Sequence, residues 1–295
     1  MSVELVHVFA ADGLKLDGAV HSATAAPTLG LDALLVLHGT GSNFYGSRFL
    51  NYIAKRAAQW GAEALVINTR GHDQITSALV QREDGTTTSR TIGSAYEKVD
   101  DCRLDIAAWL KLLRDRGRQR IGILGHSLGA VKTVYAMAHD PAPGVVAVLA
   151  VSPPRLSYSH FAASARGPGF LEEHALAERY VADGRPDALI DVRFPIPYVI
   201  TAAGYLDKYG REERYNLLRF VDRLPVPTLF TFGSAEVQGG IAFQGFPDAL
   251  EEQRAAGVKL ATIVIGRGDH HYTGVQDDLL NNIERWLRKL PDSGK

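Results

Sequence analysis

Short, largely apolar runs alternate with segments of helical period along most of this chain, and no other feature constrains the fold as tightly. The apolar runs fall at 34–37, 64–67, 121–124, 145–151, 228–232 and 260–265. Between them, apolar residues recur at helical spacing. Examples are Phe49, Ile53, Ala57 and Trp60, then Val99, Cys102, Ile106, Trp109, Leu110 and Leu113, and finally Leu279, Ile283, Trp286 and Leu290. Two further helical patterns span 128–138 and 247–256. A strand that is apolar on every residue is buried on both faces, and a strand that alternates with helices is parallel to its neighbours. The pattern therefore predicts an α/β protein with a mostly parallel, doubly covered sheet. A β-hairpin at 3–9 and 14–21, turned at Ala-Asp-Gly, brings the sheet to about eight strands.

Two stretches break the rhythm. Residues 69–94 are rich in Thr, Ser, Gly and charge and read as a loop. Residues 155–224 carry helical fragments at 172–181 and 212–221 separated by Pro186, Pro195 and Pro197. This second stretch reads as a helical cap inserted into a core made of 1–154 and 225–295, rather than as an independent domain. No internal repeat or low-complexity segment is evident.

Composition narrows the function classes. With 295 residues, 46% hydrophobic content and a net charge of -1, the chain suits a large core and lacks the basic stripe that nucleic acid would require. The single cysteine, Cys102, excludes an intramolecular disulfide and falls on the apolar face of a helical pattern. The first residues lack the basic-then-apolar order of a signal peptide, and no apolar run approaches the roughly 20 residues of a membrane span. A cytoplasmic protein with no membrane association is expected.

The chemistry concentrates at Gly125-His126-Ser127-Leu128-Gly129, which fits Gly-x-Ser-x-Gly. An apolar strand runs into it and a helix leaves it. That context suits a nucleophile on a tight strand-to-helix turn, with the hydroxyl projecting above the sheet. Small residues two before and two after the serine relieve the crowding of such a turn. The following helix directs its free N–H groups and positive dipole end toward developing negative charge.

Three further segments make the chain resemble the α/β-hydrolase family over nearly its whole length. Leu37-His38-Gly39-Thr40-Gly41 is similar to the family's His-Gly turn after the third strand. Asn68-Thr69-Arg70-Gly71-His72 is similar to the turn after the fourth, and Gly268-Asp269-His270 to the turn that bears the catalytic histidine. The resemblance implies an oxyanion hole made by the backbone N–H groups of Thr40 and Leu128. It gives Arg70 and His72 an architectural role. A serine at the elbow points away from haloalkane dehalogenases and epoxide hydrolases, whose nucleophile there is aspartate.

A serine hydroxyl needs a base to take its proton as it attacks. Of the ten histidines, His270 stands where the family places that base, with His271 as its rival; His38 and His126 read as supporting groups. The acid that orients the histidine should follow the strand at 228–232, where Gly233-Ser234-Ala235-Glu236 offers a glutamate in place of the commoner aspartate. Asp248 is a weaker candidate, and Asp269 is too close to His270 in the chain to reach its ring. The expected triad is Ser127, Glu236 and His270, in the chain order this fold uses.

The motifs call for no metal or nucleotide cofactor. Phe44, Tyr45, Pro153, Tyr205 and Tyr272 are candidates to line an apolar substrate pocket. The expected partner is a small-molecule ester or other acyl substrate, and the oligomeric state is left open. Carboxylic ester hydrolysis is the broadest reading. Thioesterase, acyltransferase and carbon–carbon bond hydrolase chemistry use the same triad, and a ligand receptor or a partner-binding pseudoenzyme could share the scaffold.

Overall fold

A computed structural model describes residues 2–290. The chain opens with the antiparallel hairpin of β1 (Val3–Phe9) and β2 (Lys15–His21). It continues through β3 (Ala33–Leu37), α1 (Arg48–Gln59), β4 (Glu63–Ile67) and a second hairpin, β5 (Thr76–Gln81) with β6 (Thr87–Ile92). Next come α2 (Cys102–Asp115), β7 (Ile121–His126), α3 (Leu128–His139) and β8 (Val145–Val151). The inserted stretch holds α4 (Tyr158–Ala162), α5 (Gly167–Ala182), β9 (Leu189–Val192), β10 (Tyr198–Thr201) and α6 (Ala202–Tyr209). The chain closes with β11 (Thr228–Gly233), α7 (Ser234–Gly239), α8 (Phe246–Ala255), β12 (Leu260–Ile265) and α9 (Gln276–Leu287).

The main sheet has eight strands in the order β1-β2-β4-β3-β7-β8-β11-β12. Its strands are parallel from β4 to β12, and β1 and β2 are antiparallel. Strands β3, β4 and β7 are buried at every residue, which is why each appears in the sequence around a short apolar run. Separate apolar clusters cover the sheet's two faces. One centres on Trp109, Val131 and Phe230, the other on Ile53, Leu149 and Leu279. Helix α1 shows the local logic. Ser47 caps its N-terminus by accepting from Leu50 N–H, and Phe49, Leu50, Ile53, Ala57 and Ala58 form its buried stripe. Full burial of Ile53 alone stabilises the fold by about 1.5–3 kcal/mol.

The structure corrects three readings of local structure. Residues 69–94 are not all loop. They include the β5–β6 hairpin, in which β5 alternates half-buried and exposed side chains and β6 is mostly exposed, so neither strand reads as a long apolar run. Its turn carries Gly85 at φ 81°. The helix expected over 212–221 is replaced by two short 3-10 turns, Leu217–Arg219 and Val221–Arg223. Glu213 sits at φ 48°, outside helical geometry, and its carboxylate accepts from Ser157 and Ser159 rather than supporting a helix. Finally, the proline-rich part of the inserted stretch forms the β9–β10 hairpin and α6, the latter capped by Thr201.

Candidate active site

Ser127 stands between β7 and α3 at φ 57° and ψ −126°, a conformation that L-residues rarely adopt. The glycines around it are required by backbone contact. A Cβ on Gly125 would lie 2.1 Å from the Gly129 carbonyl oxygen, and one on Gly129 would lie 2.4 Å from that of His38. The loop after β3 also approaches closely, since a Cβ on Gly39 would stand 2.8 Å from Ser127 Cβ and 3.2 Å from its Oγ. The His-Gly turn and the elbow therefore form one packed unit above the carboxyl ends of the parallel strands.

The next two candidates come from adjacent turns after β11 and β12. Gly233 permits this contact, because a Cβ there would meet the Gly268 carbonyl oxygen at 2.2 Å. Glu236 lies in the first turn of α7, its side chain 3% exposed. Its Oε2 accepts from His270 Nδ1 at 2.8 Å, and its Oε1 accepts from Gly233 N–H at 2.7 Å and Ser152 Oγ–H at 2.6 Å. Three donors thus hold the carboxylate against the imidazole, and Nδ1 carries the ring's proton. His270 and Ser127 line the same cavity, of about 460 Å³. Among the described residues, Ser127 Oγ makes no side-chain hydrogen bond and Nε2 of His270 is unpaired.

His271 is turned away from Ser127 and lines a separate groove with Phe49 and Tyr52. Asp269 caps its own turn by accepting from the N–H groups of His271 and Thr273, and Asp248 belongs to the first turn of α8. His126 donates from Nε2 to the His270 carbonyl at 2.7 Å, fixing the backbone that carries the imidazole. Burial, reinforced by the nearby His270 and His271 rings, holds His126 well below the usual histidine range and hence neutral.

His38 is fully buried and its pKa is pushed down to about 3, first by burial and then by Lys132. Its Nε2 accepts from Thr69 N–H at 3.0 Å, so Nδ1 carries the proton and donates to the Gly39 carbonyl at 2.7 Å. That carbonyl shares a planar trans peptide with the Thr40 N–H, so anchoring one sets the direction of the other. Among the described residues, neither Thr40 N–H nor Leu128 N–H donates to another residue. Arg70 is buried and clamps Asp105, Asp12 and Asp101, while His72 pairs with Asp73, so both lie in structural networks away from the cavity. Cys102 is buried.

The five expected pocket residues do not line the Ser127 cavity. Phe44 and Tyr45 border a different groove, with Leu5, Asn68 and His72, because Phe44 N–H is drawn to Asn68 and the Tyr45 hydroxyl to Asp73. Pro153 is buried, and the following residue, Pro154, faces the cavity. Tyr205 points from α6 into the interior toward Glu173, and Tyr209, one turn on, reaches the cavity instead. Tyr272 packs behind the acid, its hydroxyl 2.9 Å from Ser152 Oγ and 3.1 Å from Thr231 Oγ1. The observed walls comprise Thr40, Leu128, Pro154 and residues 239–243 from the sheet's own loops, with Leu156, Arg166, Pro195, Ile196 and Tyr209 from the inserted stretch. Ser152, at φ 51° after β8, is a site residue that sequence reasoning missed. The Val151-Ser152-Pro153 strand end was its only signal.

A strained serine at a strand-to-helix elbow, above a sheet of this topology and beside a carboxylate-held histidine, defines the α/β-hydrolase class. The chain belongs to the alpha/beta hydrolase family, whose model matches residues 34–294. Among solved structures it is similar to the alpha/beta hydrolase GrgF from Penicillium sp. sh18, at 16% identity over 98% of this chain and 99% of that one, with a TM-score of 0.68. It is also similar to ferulic acid-bound Est1E from Butyrivibrio proteoclasticus, at 14% identity, 97% and 99% coverage and a TM-score of 0.64. A soluble variant of monoglyceride lipase from Saccharomyces cerevisiae matches at 12% identity, 98% and 96% coverage and a TM-score of 0.66. No curated protein sequence matches the chain. At these identities the likeness is one of fold. Among the described residues no helix is long and apolar enough to cross a membrane, and no group of three or more His, Cys, Asp or Glu side chains could hold a metal ion.

Proposed function

We propose that this hydrolase cleaves carboxylic esters through an acyl-enzyme on Ser127. The observation that carries the reading is the 2.8 Å contact from Glu236 to His270 Nδ1, with the imidazole lining the cavity into which Ser127 projects. The contact selects the tautomer whose Nε2 is free to accept a proton. Ser127 Oγ attacks the ester carbonyl and His270 takes its proton. The tetrahedral oxyanion rests on the N–H groups of Thr40 and Leu128, each worth roughly 3–4 kcal/mol in the transition state. His270 then protonates the departing alkoxide, and the ester bond breaks. A water molecule, deprotonated by the same histidine, attacks the acyl-enzyme and releases the acid and free Ser127.

The esterase and lipase neighbours share this fold, and ester hydrolysis is carried over from them by analogy. The mostly apolar walls suit an acyl chain. Steady-state turnover of a graded series of p-nitrophenyl esters tests the proposal. The expected result is saturable hydrolysis that His270→Ala lowers by at least about 1,000-fold. Equal rates for wild type and variant would overturn it.

A further inference from the structure

The cavity wall contributed by the inserted stretch is not uniformly apolar. Arg166 and Tyr209 stand in it beside Leu156, Pro195 and Ile196. The Arg166 guanidinium lies 4.9 Å over the Phe194 ring, Nη2 donates to the Arg193 carbonyl at 2.9 Å, and Nη1 donates to that of Pro195 at 3.4 Å. The residue is exposed at the mouth of the cavity, and these contacts orient its planar head while using only two of its five N–H donors. Among the described residues it has no carboxylate partner. Tyr209 is 5% exposed and its hydroxyl accepts from Tyr198 O–H at 3.2 Å, so its own proton is not spent on that bond.

Of the other polar lining groups, Ser127, His270 and the Thr40 N–H are taken by the proposed chemistry. Besides the neutral Thr40 hydroxyl, what remains is a pair of donors, one of them permanently charged. A neutral ester along this wall would leave Arg166, which is exposed, to its hydrogen bonds with water. A carboxylate would replace them with shorter, charge-assisted ones, and the guanidinium fork matches its geometry.

Building on the serine-hydrolase reading, we propose that the preferred esters carry a free carboxylate on the portion lying along this wall. Arg166 is the specificity-determining residue and Tyr209 an added donor.

The test compares kcat/KM for p-nitrophenyl hemiglutarate and p-nitrophenyl pentanoate, matched in chain length, after subtracting the background measured with Ser127→Ala. Wild type is expected to favour the hemiglutarate by at least about tenfold, a ratio that falls with added salt. Arg166→Met should abolish that ratio, Arg166→Lys should keep part of it, and Tyr209→Phe should lower it severalfold. Thermal melts establish that each variant folds. If Arg166→Met does not fold, Arg166→Lys and the salt series carry the test. Hydrolysis of both esters without a preference, or a preference that survives Arg166→Met, would overturn this inference alone. Hydrolysis of neither, with Ser127 inert to acylating probes, would remove the underlying reading and this inference with it.

Discussion

Replacing Glu236 with glutamine isolates the electrostatic and tautomeric work of one carboxylate. The amide nearly preserves shape, and its oxygen can still accept from Gly233 N–H and Ser152 Oγ–H, as Oε1 does now at 2.7 and 2.6 Å. Its NH2 group then faces His270 Nδ1, now 2.8 Å from Oε2. Two donors cannot share that contact, so the imidazole must move its proton to Nε2, the atom needed to deprotonate Ser127. The imidazolium formed during attack also loses its counter-charge. Wrong-tautomer substitutions of this kind lower kcat by about 10⁴, equivalent to about 5.4 kcal/mol at 1.36 kcal/mol per decade. Glu236→Asp removes one methylene, which withdraws the carboxylate by about 1.5 Å and breaks the same contact unless the turn follows. Pre-steady-state and steady-state hydrolysis of a p-nitrophenyl ester, with melting curves as a folding control, measures both variants. A Glu236→Gln enzyme within tenfold of wild-type kcat would refute the argument.

Gly39→Ala places a methyl 2.8 Å from Ser127 Cβ, so nucleophile or oxyanion loop must shift. A loss of at least about 100-fold in kcat is expected, and near-normal turnover would contradict the packing described. The Glu97 carboxylate contacts Lys132 Nζ in full burial, with Lys208 nearby on α6. Glu97→Gln leaves two buried ammonium groups without that anion, at a cost of about 3–5 kcal/mol. For a chain of this length that corresponds to a fall in melting temperature of roughly 5–8 °C, and an unchanged melt would contradict it. Burial, aided by Lys132 and opposed by Glu97 and Asp207, pushes the Lys208 ammonium from 10.5 down to about 8. Between those values the unfolded chain binds the proton more readily than the folded one, so stability rises with pH. Wild type should therefore gain about 3 kcal/mol relative to Lys208→Met across that window, read by denaturant melts; a gap that stays flat or shrinks would show the lysine is not so perturbed.

The elbow was legible because backbone crowding writes itself into sequence. Gly125 and Gly129 have no room for a Cβ, so their spacing around Ser127 is a physical requirement that survives in the residue string. The same holds for Gly233 against Gly268, the contact that brings the Glu236 and His270 turns together. Strands β3, β4 and β7 were equally plain, being buried at every position. The cavity walls were not. Whether Pro153 or Pro154 faces Ser127, or Tyr205 or Tyr209, depends on the angle at which a turn or helix is set, and both members of each pair have the same chemistry. The β5–β6 hairpin was hidden because more than half its side chains meet solvent and its longest apolar stretch is only Ala78-Leu79-Val80. Ser152 carries no motif of its own, and its role comes only from where β8 ends relative to Glu236.

The central claim concerns one hydroxyl, and covalent capture addresses it directly. Wild-type protein treated with a fluorophosphonate, digested and examined by mass spectrometry should carry the adduct on the peptide containing Ser127. His270→Ala should react far more slowly and Ser127→Ala not at all. An unmodified wild type, or an adduct on another residue that persists in Ser127→Ala, would contradict the account.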